Sequence, residues 1–386
     1  MLRYVTAGES HGPALFAIVE GVPAGLMITA EKIDKELARR QLGFGRGGRM
    51  KIERDRADIL SGVRFGKTLG SPITMKIDNR DWQNWQVKMS VEEVAGIEAI
   101  ELVTQPRPGH ADLSGIQKTG QKDIRNVLER SSARETAARV AAGAVAKILL
   151  EEFNIKVISH VISIGDVRAN LERLPAPHDL EQIDESPARC FDPEATVKMV
   201  EKIEEIRKAK DTIGGVFEVL VYGCPPGLGG YTSWEEKLDG NIARAVMSIQ
   251  AIKGVEIGLG FNAAYSQGSE THDEIFYDQD RGYFRKTNNA GGIEGGMTNG
   301  EVIIVRAAMK PIPTLMRPLK TVDINTKEQA DAVKERSDVC AVPAAAVIGE
   351  AVVAFELAKA LLNKFGSDAL EDIKAAYNFY LKRLKD

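Results

Sequence analysis

The apolar residues of this chain follow two periods, and each period predicts one kind of secondary structure. Apolar runs and two-residue alternation predict strands at residues 14–20, 50–54, 71–78, 156–165, 214–223, 253–261 and 300–309. Helical spacing of the apolar residues predicts helices at residues 30–41, 132–153, 197–211, 238–252 and 343–365. This mixture predicts an α+β fold, a β-α-β sandwich in which antiparallel sheets pack around a central layer of helices.

Two of these helices, 132–153 and 343–365, are rich in alanine and valine and carry little charge. A helix of that composition is typical of a buried position with neighbours on several sides. Ser132 can cap the first helix, with Glu135 three residues on as in a capping box. Pro343 suits the first turn of the second helix.

Similar short motifs occur in the two halves of the chain. The turns 8–12 and 296–300 each precede an apolar strand, and Arg-Ser pairs at 130–131 and 336–337 each precede an alanine-rich helix. These echoes indicate a possible internal pseudo-twofold repeat, and chance similarity between glycine-rich turns is an equally open alternative. Residues 170–190 hold three prolines and many charges, which predicts an excursion over the surface.

Length and composition narrow the class of protein. At ~150 residues per domain, 386 residues correspond to two or three domains, and one large α+β body is also compatible. A hydrophobic fraction of 44% excludes wholesale disorder. No uncharged apolar stretch reaches ~18 residues, and the N-terminus lacks the apolar core of a signal peptide, so we expect a cytoplasmic protein. Cys190, Cys224 and Cys340 form no C-x-x-C pair, so we expect neither a disulfide framework nor a metal site.

Glycine is in excess, at 36 of 386 residues, which is about 9% against ~7% on average and indicates tight turns or backbone brought close to ligands. Residues 38–56 combine glycine with seven Lys or Arg against two Asp or Glu, a local charge of +5 in a chain of net charge −4. Arginine offers a planar fork that matches carboxylate and phosphate. The segment therefore predicts a loop that wraps a polyanion, with an RNA backbone and a solvated face as alternatives.

The same segment contains a G-x-G-x-x-G pattern at Gly43, Gly45 and Gly48. In a dinucleotide-binding fold this pattern follows a strand and opens a helix. Here a predicted helix comes before it and a predicted strand after it, so the sequence argues against a dinucleotide-binding fold.

Two histidines and two helix starts are candidates for chemistry. His11 lies between small residues that leave its ring accessible, and its pKa range suits general acid catalysis. His110 lies in a loop fixed by two prolines, three residues after Arg107. Segment 130–134 places two hydroxyls and two arginines at a helix start, a plausible phosphate cradle as well as a simple N-cap. Asp338 beside arginines can act as a base or orient a partner. The other histidines, His160, His178 and His272, receive no role.

Six motifs in order along the chain resemble the chorismate synthase family. The first three are GESHGPALFAIVEGVPAG at 8–25, RRQLGFGRGGRMKIERD at 39–55 and TQPRPGHADLSG at 104–115. The others are LERSSARETAARVAAGAV at 128–145, GGIEGGMTNG with KPIPT at 291–314, and RSDVCAVPAAAVIGEAVVAFE at 336–356. Phe44 and Leu42 depart from the frequent family residues, which affects the expected shape of one loop and removes no charged group.

The resemblance implies a reaction, a cofactor and an assembly. Members eliminate phosphate and a proton from 5-enolpyruvylshikimate 3-phosphate, in a 1,4-anti sense, to give chorismate. They require reduced FMN, which is thought to lend electron density as the C–O bond breaks, and NADPH is a possible reductant. The resemblance further implies a single domain over residues 1–386, a homotetramer, a cytoplasmic location, a possible external flavin reductase, and neither a nucleic-acid nor a membrane partner.

The resemblance also implies roles for individual residues. His11 would protonate the departing phosphate, His110 would act on the reduced flavin, and Asp338 would take part in a proton relay. The flavin-binding residues would be Arg130, Ser131, Ser132, Gln250, Ala251, Gly295, Lys310, Pro311, Ile312, Pro313, Thr314 and Arg336. The substrate-binding residues would be Ser10, Arg40, Arg46, Arg49, Arg107, Arg134 and Arg336, and Arg40 and Arg46 would also meet NADPH. The alternatives are an RNA- or polyanion-binding protein that uses residues 39–56, and an NADPH-dependent flavin reductase.

Overall fold

Two antiparallel sheets enclose a layer of helices in the computed structural model, which describes residues 1–47, 54–96, 100–280, 282–335 and 337–385. The helices within these residues are α1 Ala30–Gln41, α2 Asp112–Thr119, α3 Arg125–Ser131, α4 Thr136–Glu151, α5 Leu180–Glu185, α6 Pro193–Lys208, α7 Leu238–Met247, α8 Gly268–Thr271, α9 Val342–Phe365 and α10 Leu370–Arg383. The strands are β1 Arg3–Ala7, β2 Ala14–Glu20, β3 Asp58–Ile59, β4 Val63–Arg64, β5 Lys67–Thr68, β6 Ile73–Asp78, β7 Lys156–Ile164, β8 Val167–Arg168, β9 Gly215–Tyr222, β10 Ile252–Ile257, β11 Ile275–Asp278, β12 Gly282–Arg285, β13 Ile293–Glu294, β14 Met297–Thr298, β15 Ile303–Met309, β16 Lys320–Val322 and β17 Gln329–Asp331.

The helix layer lies between a four-stranded and a five-stranded sheet. The first has the strand order β1-β2-β6-β3 and the second β10-β15-β9-β7-β8, with antiparallel pairing throughout. Helix α4 packs on β1, β2 and β6, helix α9 packs on β7 and β9, and the two helices pack on each other. The predicted α+β sandwich around a helical layer is therefore confirmed, while the pseudo-twofold repeat stays a prediction.

Small residues let α4 and α9 approach closely. A Cβ on Gly143 of α4 would lie only 2.4 Å from the Cβ of Ala351 on α9. Almost every residue of α4, and most of α9, is buried. The prediction that both alanine-rich helices are buried on several sides is confirmed, because each packs on a sheet and on the other helix.

The predicted helix 132–153 is wrong at its start. Helix α3 ends at Ser131, and Ser132 is extended (φ −62°, ψ 143°), so a separate 3₁₀ turn at 133–135 leads into α4. The Ser132 hydroxyl accepts a hydrogen bond from Arg134 N (3.3 Å). The capping box is also wrong, because the buried Glu135 carboxylate instead accepts hydrogen bonds from Thr6 Oγ1 (2.7 Å) and Arg139 Nε (2.9 Å).

Several other predicted boundaries shift. Helix α6 begins at Pro193, four residues early, because the Asp192 carboxylate caps it through the N–H groups of Glu194 and Ala195. Helix α7 stops at Met247 instead of 252, and β10 ends at Ile257 instead of 261. The strand predicted at 50–54 lies outside the described residues except at its last position.

The surface excursion predicted at 170–190 is wrong in its second half. Arg189 is 0% exposed, and its carbonyl accepts a hydrogen bond from Val161 N (2.8 Å) of β7. Leu174 and Leu180 pack on a small apolar cluster at the outer face of the second sheet. The segment covers that face of the sheet. Its prolines and charges are typical of an exposed loop, so the sequence did not indicate this packing.

Glu350 on α9 is a buried carboxylate that joins several elements. Arg39 of α1 donates to its two oxygens at 2.7 and 2.8 Å, Lys147 of α4 donates at 2.7 Å, and the Ser159 hydroxyl of β7 donates at 2.7 Å. Arg189 Nη2 lies 3.4 Å away. Burial alone would raise the pKa of Glu350, but these cations outweigh burial and hold its pKa well below the ordinary value. This ion cluster fixes α1 within the helix layer.

None of the helices in the described ranges combines the length and the apolar character needed to cross a bilayer.

Candidate active site

His11 lies in the turn between β1 and β2, where both its backbone and its ring bind Glu129. Its N–H donates to Glu129 Oε2 (2.8 Å), and its Nδ1 lies 2.9 and 3.0 Å from the two carboxylate oxygens. Burial alone would raise the pKa of Glu129, but the hydrogen bonds and charge of His11, together with Arg125, outweigh burial and lower its pKa. An ionised carboxylate only accepts hydrogen bonds, so Nδ1 carries a proton and Nε2 is the nitrogen through which His11 can exchange one.

An aromatic ring covers one side of the His11 imidazole. Trp85 stacks on it with ring centroids 4.0 Å apart and an interplanar angle of 23°. The Arg125 guanidinium also lies over the Trp85 ring, with Cζ 4.8 Å from the centroid. Arg125 Nη1 in turn donates to Glu129 Oε1 (3.0 Å). These contacts place His11, Trp85, Arg125 and Glu129 in one connected cluster.

His110 forms a second imidazole–carboxylate pair, in the loop before α2. Its Nδ1 lies 2.5 Å from Asp112 Oδ1. Arg107 donates to both oxygens of that carboxylate, from Nε (2.8 Å) and Nη2 (3.1 Å). Burial alone would raise the pKa of Asp112, but the hydrogen bonds from His110 and Arg107 outweigh it, so its pKa lies well below the ordinary value. His110 is therefore similar to His11 in that Nδ1 lies against a carboxylate, and it differs in that Arg107 Nη2 also lies 3.1 Å from Nδ1.

Segment 310–314, which follows β15, lies against the loop that carries His110. Arg107 Nη1 donates to Thr314 Oγ1 (3.1 Å), and Lys310 Nζ donates to the carbonyl of Gly109. The carbonyl of Ile312 accepts a hydrogen bond from the Thr212 hydroxyl (2.7 Å). The structure thus brings the predicted residues Arg107, Lys310 and Thr314 together beside His110.

Glu335 connects the two histidine clusters. Its carboxylate lies 3.4 Å from Arg107 Nη1 and 4.0 Å from Arg125 Nη2. Cations and carboxylates therefore alternate from Glu129 through Arg125, Glu335 and Arg107 to Asp112. This alternation lets several ionised groups share a partly buried site, because each has an opposite charge as its neighbour.

Two more of the predicted arginines share one buried carboxylate. Asp55 lies 2.6 Å from Arg134 Nη1 and 3.4 Å from Arg40 Nη1. Arg40 also donates to Thr136 Oγ1 (3.1 Å), and Arg134 Nε donates to Asn79 Oδ1 (2.9 Å). Burial lowers the pKa of Arg40 to about 10, with Arg134 contributing in the same direction and Asp55 opposing it. Two cations and one anion leave this buried trio with a net charge of +1.

Asp338 meets the glycine-rich loop that follows α1. Gly47 N donates to Asp338 Oδ1 (2.5 Å), and Arg46 Nε lies 3.3 Å from Asp338 Oδ2. A Cβ on Gly47 would lie 3.0 Å from the carbonyl oxygen of Ser337 and 3.2 Å from Asp338 Oδ1. Glycine is needed here because the loop approaches the chain's own segment 337–340 closely. Arg46 and Asp338, both predicted from the sequence, are brought together by this approach.

Arg130, Ser131 and Ser132, where α3 ends and the turn into α4 begins, each bind a different partner. The Ser132 hydroxyl donates to Ser10 Oγ (3.2 Å), so these two predicted residues meet. Ser131 donates to the carbonyl of Val127 (2.9 Å) within its own helix. Arg130 donates to the carbonyls of Thr6 (2.8 Å) and Gly8 (3.0 Å), which ties α3 to the turn that carries Ser10 and His11.

Gln250 and Ala251 join the same region through Glu135 and Lys310. Gln250 Nε2 donates to Glu135 Oε2 (3.3 Å), and the Ala251 carbonyl accepts a hydrogen bond from Lys310 N (3.0 Å). Gln250 Oε1 is buried and has no hydrogen-bond partner within the described ranges. Gly295 lies apart, in the β13–β14 hairpin, where its carbonyl accepts a hydrogen bond from Lys237 Nζ (3.3 Å). Arg49 and Arg336 lie outside the described residues.

Sequence reasoning missed several residues of this site. Asp112 stood two residues from His110 and Glu129 stood beside the Arg130-Ser131 motif, so their proximity to candidate residues was an available signal. Trp85 gave no such signal, because it is far from every motif along the chain and meets His11 only in the folded structure. Glu335 and Asp55 were visible only as charges in polar segments. Among the side chains that the structure describes, no group of three His, Cys, Asp or Glu is placed to hold a metal ion.

The fold and the site together define the class of this protein: a β-α-β sandwich with two imidazole–carboxylate pairs and buried arginines, groups that are able to exchange protons and to bind an anion. The sequence model of the family described as "Chorismate synthase" matches residues 2–362. The chorismate synthase of Geobacter sulfurreducens is 58% identical over 392 residues, covering 100% of this chain and of that protein. The chorismate synthase of Desulforudis audaxviator is 56% identical over 385 residues, covering 100% of this chain and 98% of that protein.

A solved structure agrees with the sequence relatives. A crystal structure of chorismate synthase has a TM-score of 0.81 and 46% sequence identity, and the match covers 100% of this chain and 98% of that chain. This chain belongs to the chorismate synthase family. The resemblance found from six motifs is thereby confirmed, and family membership makes the chain a lyase with a requirement for reduced flavin.

Proposed function

We propose that this chain eliminates phosphate and a proton from 5-enolpyruvylshikimate 3-phosphate, in a 1,4-anti sense, to form chorismate. The observation that carries the proposal is the pair of histidines, each with Nδ1 on a buried carboxylate of lowered pKa, connected by Arg125, Glu335 and Arg107. An elimination needs one group that gives a proton and another that takes one. His11 can give a proton to the departing phosphate, and the relay that includes Asp338 can take the proton that the substrate loses.

The buried arginines fit an anionic substrate. The substrate carries two carboxylates and a phosphate, and the trio of Arg40, Arg134 and Asp55 has a net charge of +1 in a dry environment. Asn79, which binds Arg134 of this trio, also donates to the carbonyls of Glu9 (3.1 Å) and Gly12 (2.9 Å). Ser10 lies in that same turn, and its hydroxyl meets the hydroxyl of Ser132. Preorganised cations and dipoles of this kind stabilise charge that develops as a leaving group departs.

The residues beside His110 fit a flavin. Gln250 Oε1 is a buried acceptor without a partner among the described residues, and a flavin ring edge carries an N–H donor that would satisfy it. Burial lowers the pKa of Lys310, with Lys253 acting in the same direction, which suits a site that takes up an anion. The family resemblance assigns the binding of reduced FMN to Arg130, Ser131, Ser132, Gln250, Ala251, Arg336 and residues 310–314. It also assigns Gly295, which lies apart from the others within this chain. When bound, the reduced flavin supplies electron density as the C–O bond breaks.

Three side chains would move or hold protons. His11 gives a proton from Nε2 to the departing phosphate while Glu129 balances the imidazolium charge. His110 holds a proton on the flavin side of the site, oriented by Asp112. Asp338, fixed by Gly47 N and Arg46, takes part in the proton relay that accompanies loss of the substrate proton.

The remaining parts of the proposal rest on the family. Residues 1–386 form a single catalytic domain that assembles as a homotetramer in the cytoplasm. Arg40 and Arg46 meet NADPH where the chain reduces its own flavin, and an external flavin reductase is the alternative source of reduced FMN. Arg49 and Arg336 bind substrate oxyanions.

An anaerobic assay tests the reaction directly. Purified protein, chemically reduced FMN and 5-enolpyruvylshikimate 3-phosphate should yield chorismate and inorganic phosphate in equal amounts, with no net oxidation of the flavin. Absence of chorismate under these conditions refutes the proposal. Net oxidation of flavin or NADPH as the main product chemistry would favour the flavin reductase instead.

The role of His11 has its own test. His11→Ala should lower kcat at least ~100-fold with little change in KM, because general acid catalysis acts in the transition state. His178→Ala is the matched control, since the His178 side chain is 78% exposed and should leave turnover unchanged. Equal turnover of His11→Ala and the wild type refutes the acid role.

The RNA-binding alternative is weakened by burial. Arg39 and Arg40, two of the seven cations of residues 38–56, are buried in ion pairs with Glu350 and Asp55 and present no charge to a nucleic-acid surface. Binding to RNA with a steep salt dependence, and no dependence on His11 or His110, would restore that alternative.

A further inference from the structure

We propose that Trp85 is a positioning residue for His11: its indole holds the imidazole with Nδ1 on Glu129 and Nε2 toward the reacting phosphate. This inference rests on the proposed function of His11. The two rings are stacked, 4.0 Å between centroids and 23° between planes. Stacking at this distance and angle restricts rotation of the imidazole about its side-chain bonds, because any large rotation loses the contact.

Trp85 is itself fixed by the 3₁₀ turn at 80–84. Its Nε1 donates to Asp81 Oδ2 (3.1 Å), and its backbone N donates to the carbonyl of Trp82 (2.9 Å). Asn84 Nδ2 holds the other oxygen of Asp81 (2.8 Å). The indole therefore has a defined plane before any ligand binds, and it passes that orientation on to His11.

The cluster closes around His11 from several directions. Glu129 holds Nδ1 from α3, Trp85 covers one ring face, and Arg125 lies over the same indole while it donates to Glu129 (3.0 Å). Lys88 Nζ also lies 5.7 Å from the Trp85 centroid. A carboxylate alone fixes one nitrogen and permits the ring to tilt, whereas a carboxylate and a stacked indole together fix the ring plane.

The consequence is a loss of turnover without a loss of binding. An acid displaced by a fraction of an ångström still permits the substrate to bind, but protonates the leaving group poorly. Trp85→Leu should therefore lower kcat about tenfold with KM within about twofold of the wild type, a change in activation free energy of about 1.4 kcal/mol. Trp85→Phe keeps a stacked ring and should recover most of the turnover. Trp82→Leu, in the same turn, is the matched control and should behave as the wild type.

A spectroscopic readout tests the contact apart from catalysis. A protonated imidazole quenches the emission of a stacked indole more strongly than a neutral one. Wild-type tryptophan emission should therefore rise as the His11 imidazole loses its proton, and this rise should vanish in His11→Asn and in Trp85→Phe. Groups that also face the pair are Glu129, Arg125, Lys88 and Asp81, which binds the indole N–H, so Lys88→Gln and Asp81→Asn are measured as well and should keep the rise.

The outcomes separate this inference from the proposed function. Wild-type kcat in Trp85→Leu, a rise in KM alone, or emission that ignores His11 each overturns the positioning role. Absence of chorismate from the wild type, with emission that follows His11, refutes the proposed function and leaves the contact supported. If Trp85→Leu fails to fold, the comparison of emission between the wild type and His11→Asn still decides whether the contact exists in solution.

Discussion

Asp55 is the shared counterion of two arginines that the sequence assigns to substrate binding, and its charge can be removed with little change in shape. Its carboxylate lies 2.6 Å from Arg134 Nη1 and 3.4 Å from Arg40 Nη1, and all three residues are buried. We expect Asp55→Asn to destabilise the fold and to weaken turnover, because two guanidinium groups then face each other without their anion.

The size of the effect follows from these distances. At an effective dielectric constant of about 20, the two attractions are about 6 and about 5 kcal/mol. Most of that attraction offsets the loss of hydration of three buried ions, and breaking a buried pair on one side typically costs about 3–5 kcal/mol. The asparagine amide oxygen can still accept one hydrogen bond, so we expect a loss of about 3 kcal/mol in the free energy of unfolding.

Anion binding should offset part of this loss. Removing one negative charge changes the net charge of the trio from +1 to +2, so an anion should bind the variant more tightly and stabilise it more than the wild type. Each tenfold gain in affinity for inorganic phosphate adds about 1.4 kcal/mol of stabilisation at saturating concentration. The gap between variant and wild type should therefore narrow as phosphate is added.

Urea denaturation with and without phosphate measures both effects. Asp58→Asn is the matched control, because Asp58 is exposed on β3 three residues away and should change the free energy of unfolding by less than about 0.5 kcal/mol. Equal stability of Asp55→Asn and the wild type would show that the trio is solvated in solution. A stability gap that ignores phosphate would refute the assignment of Arg40 and Arg134 to an anion site.

Three further changes test other parts of the structure. Glu350→Gln should lower the free energy of unfolding by about 3–5 kcal/mol, measured by urea denaturation. Because the pKa of Glu350 is lowered in the fold, the stabilisation by its carboxylate is present above the unfolded pKa of about 4.3 and is lost as the pH falls below it. The difference in stability between variant and wild type should therefore shrink below that pH, and a difference independent of pH would contradict this. Gly143→Val should lower the melting temperature strongly, since a Cβ there already lies 2.4 Å from Ala351 Cβ, and an unchanged melting temperature would contradict the close helix contact. Asp112→Asn should lower kcat more than KM with reduced flavin supplied, because it removes the anion that orients His110, and a change in KM alone would point to a role in binding.

The layered fold could be predicted because the apolar periods of the chain are strong. Residues 14–20, 30–41 and 71–78 gave an element within two residues of each observed boundary. Boundaries failed where a local side chain decided the geometry: Ser132 breaks the predicted helix, and Asp192 starts α6 early. The burial of Arg189 was not predicted, because it depends on tertiary contacts: Arg189 pairs with the nearby Asp184 and also with Glu350, which is far along the chain.

The candidate site was predictable in its cations, its histidines and Asp338, while the other carboxylates that pair with them were not predicted. Arginine and histidine stand out in glycine-rich motifs, so Arg40, Arg107 and His11 were identified from the sequence. Their partners, such as Glu129, look like ordinary helix surface charges until folding places them. A carboxylate that orients a histidine leaves no periodic signal, since its position is set by tertiary contacts alone.

The local charge of +5 in residues 38–56 has a different meaning once the structure is considered. Adjacent residues of a helix point about 100° apart, and this splits Arg39 from Arg40: Arg39 binds Glu350 in the helix layer, while Arg40 joins Asp55 in the site. Gly45 and Gly47 then bring the following loop onto segment 337–340, where Arg46 meets Asp338. Arg39, Arg40 and Arg46 are thus each paired with a carboxylate of the chain itself, and a charge count along the sequence overstates what these three residues can offer to a ligand.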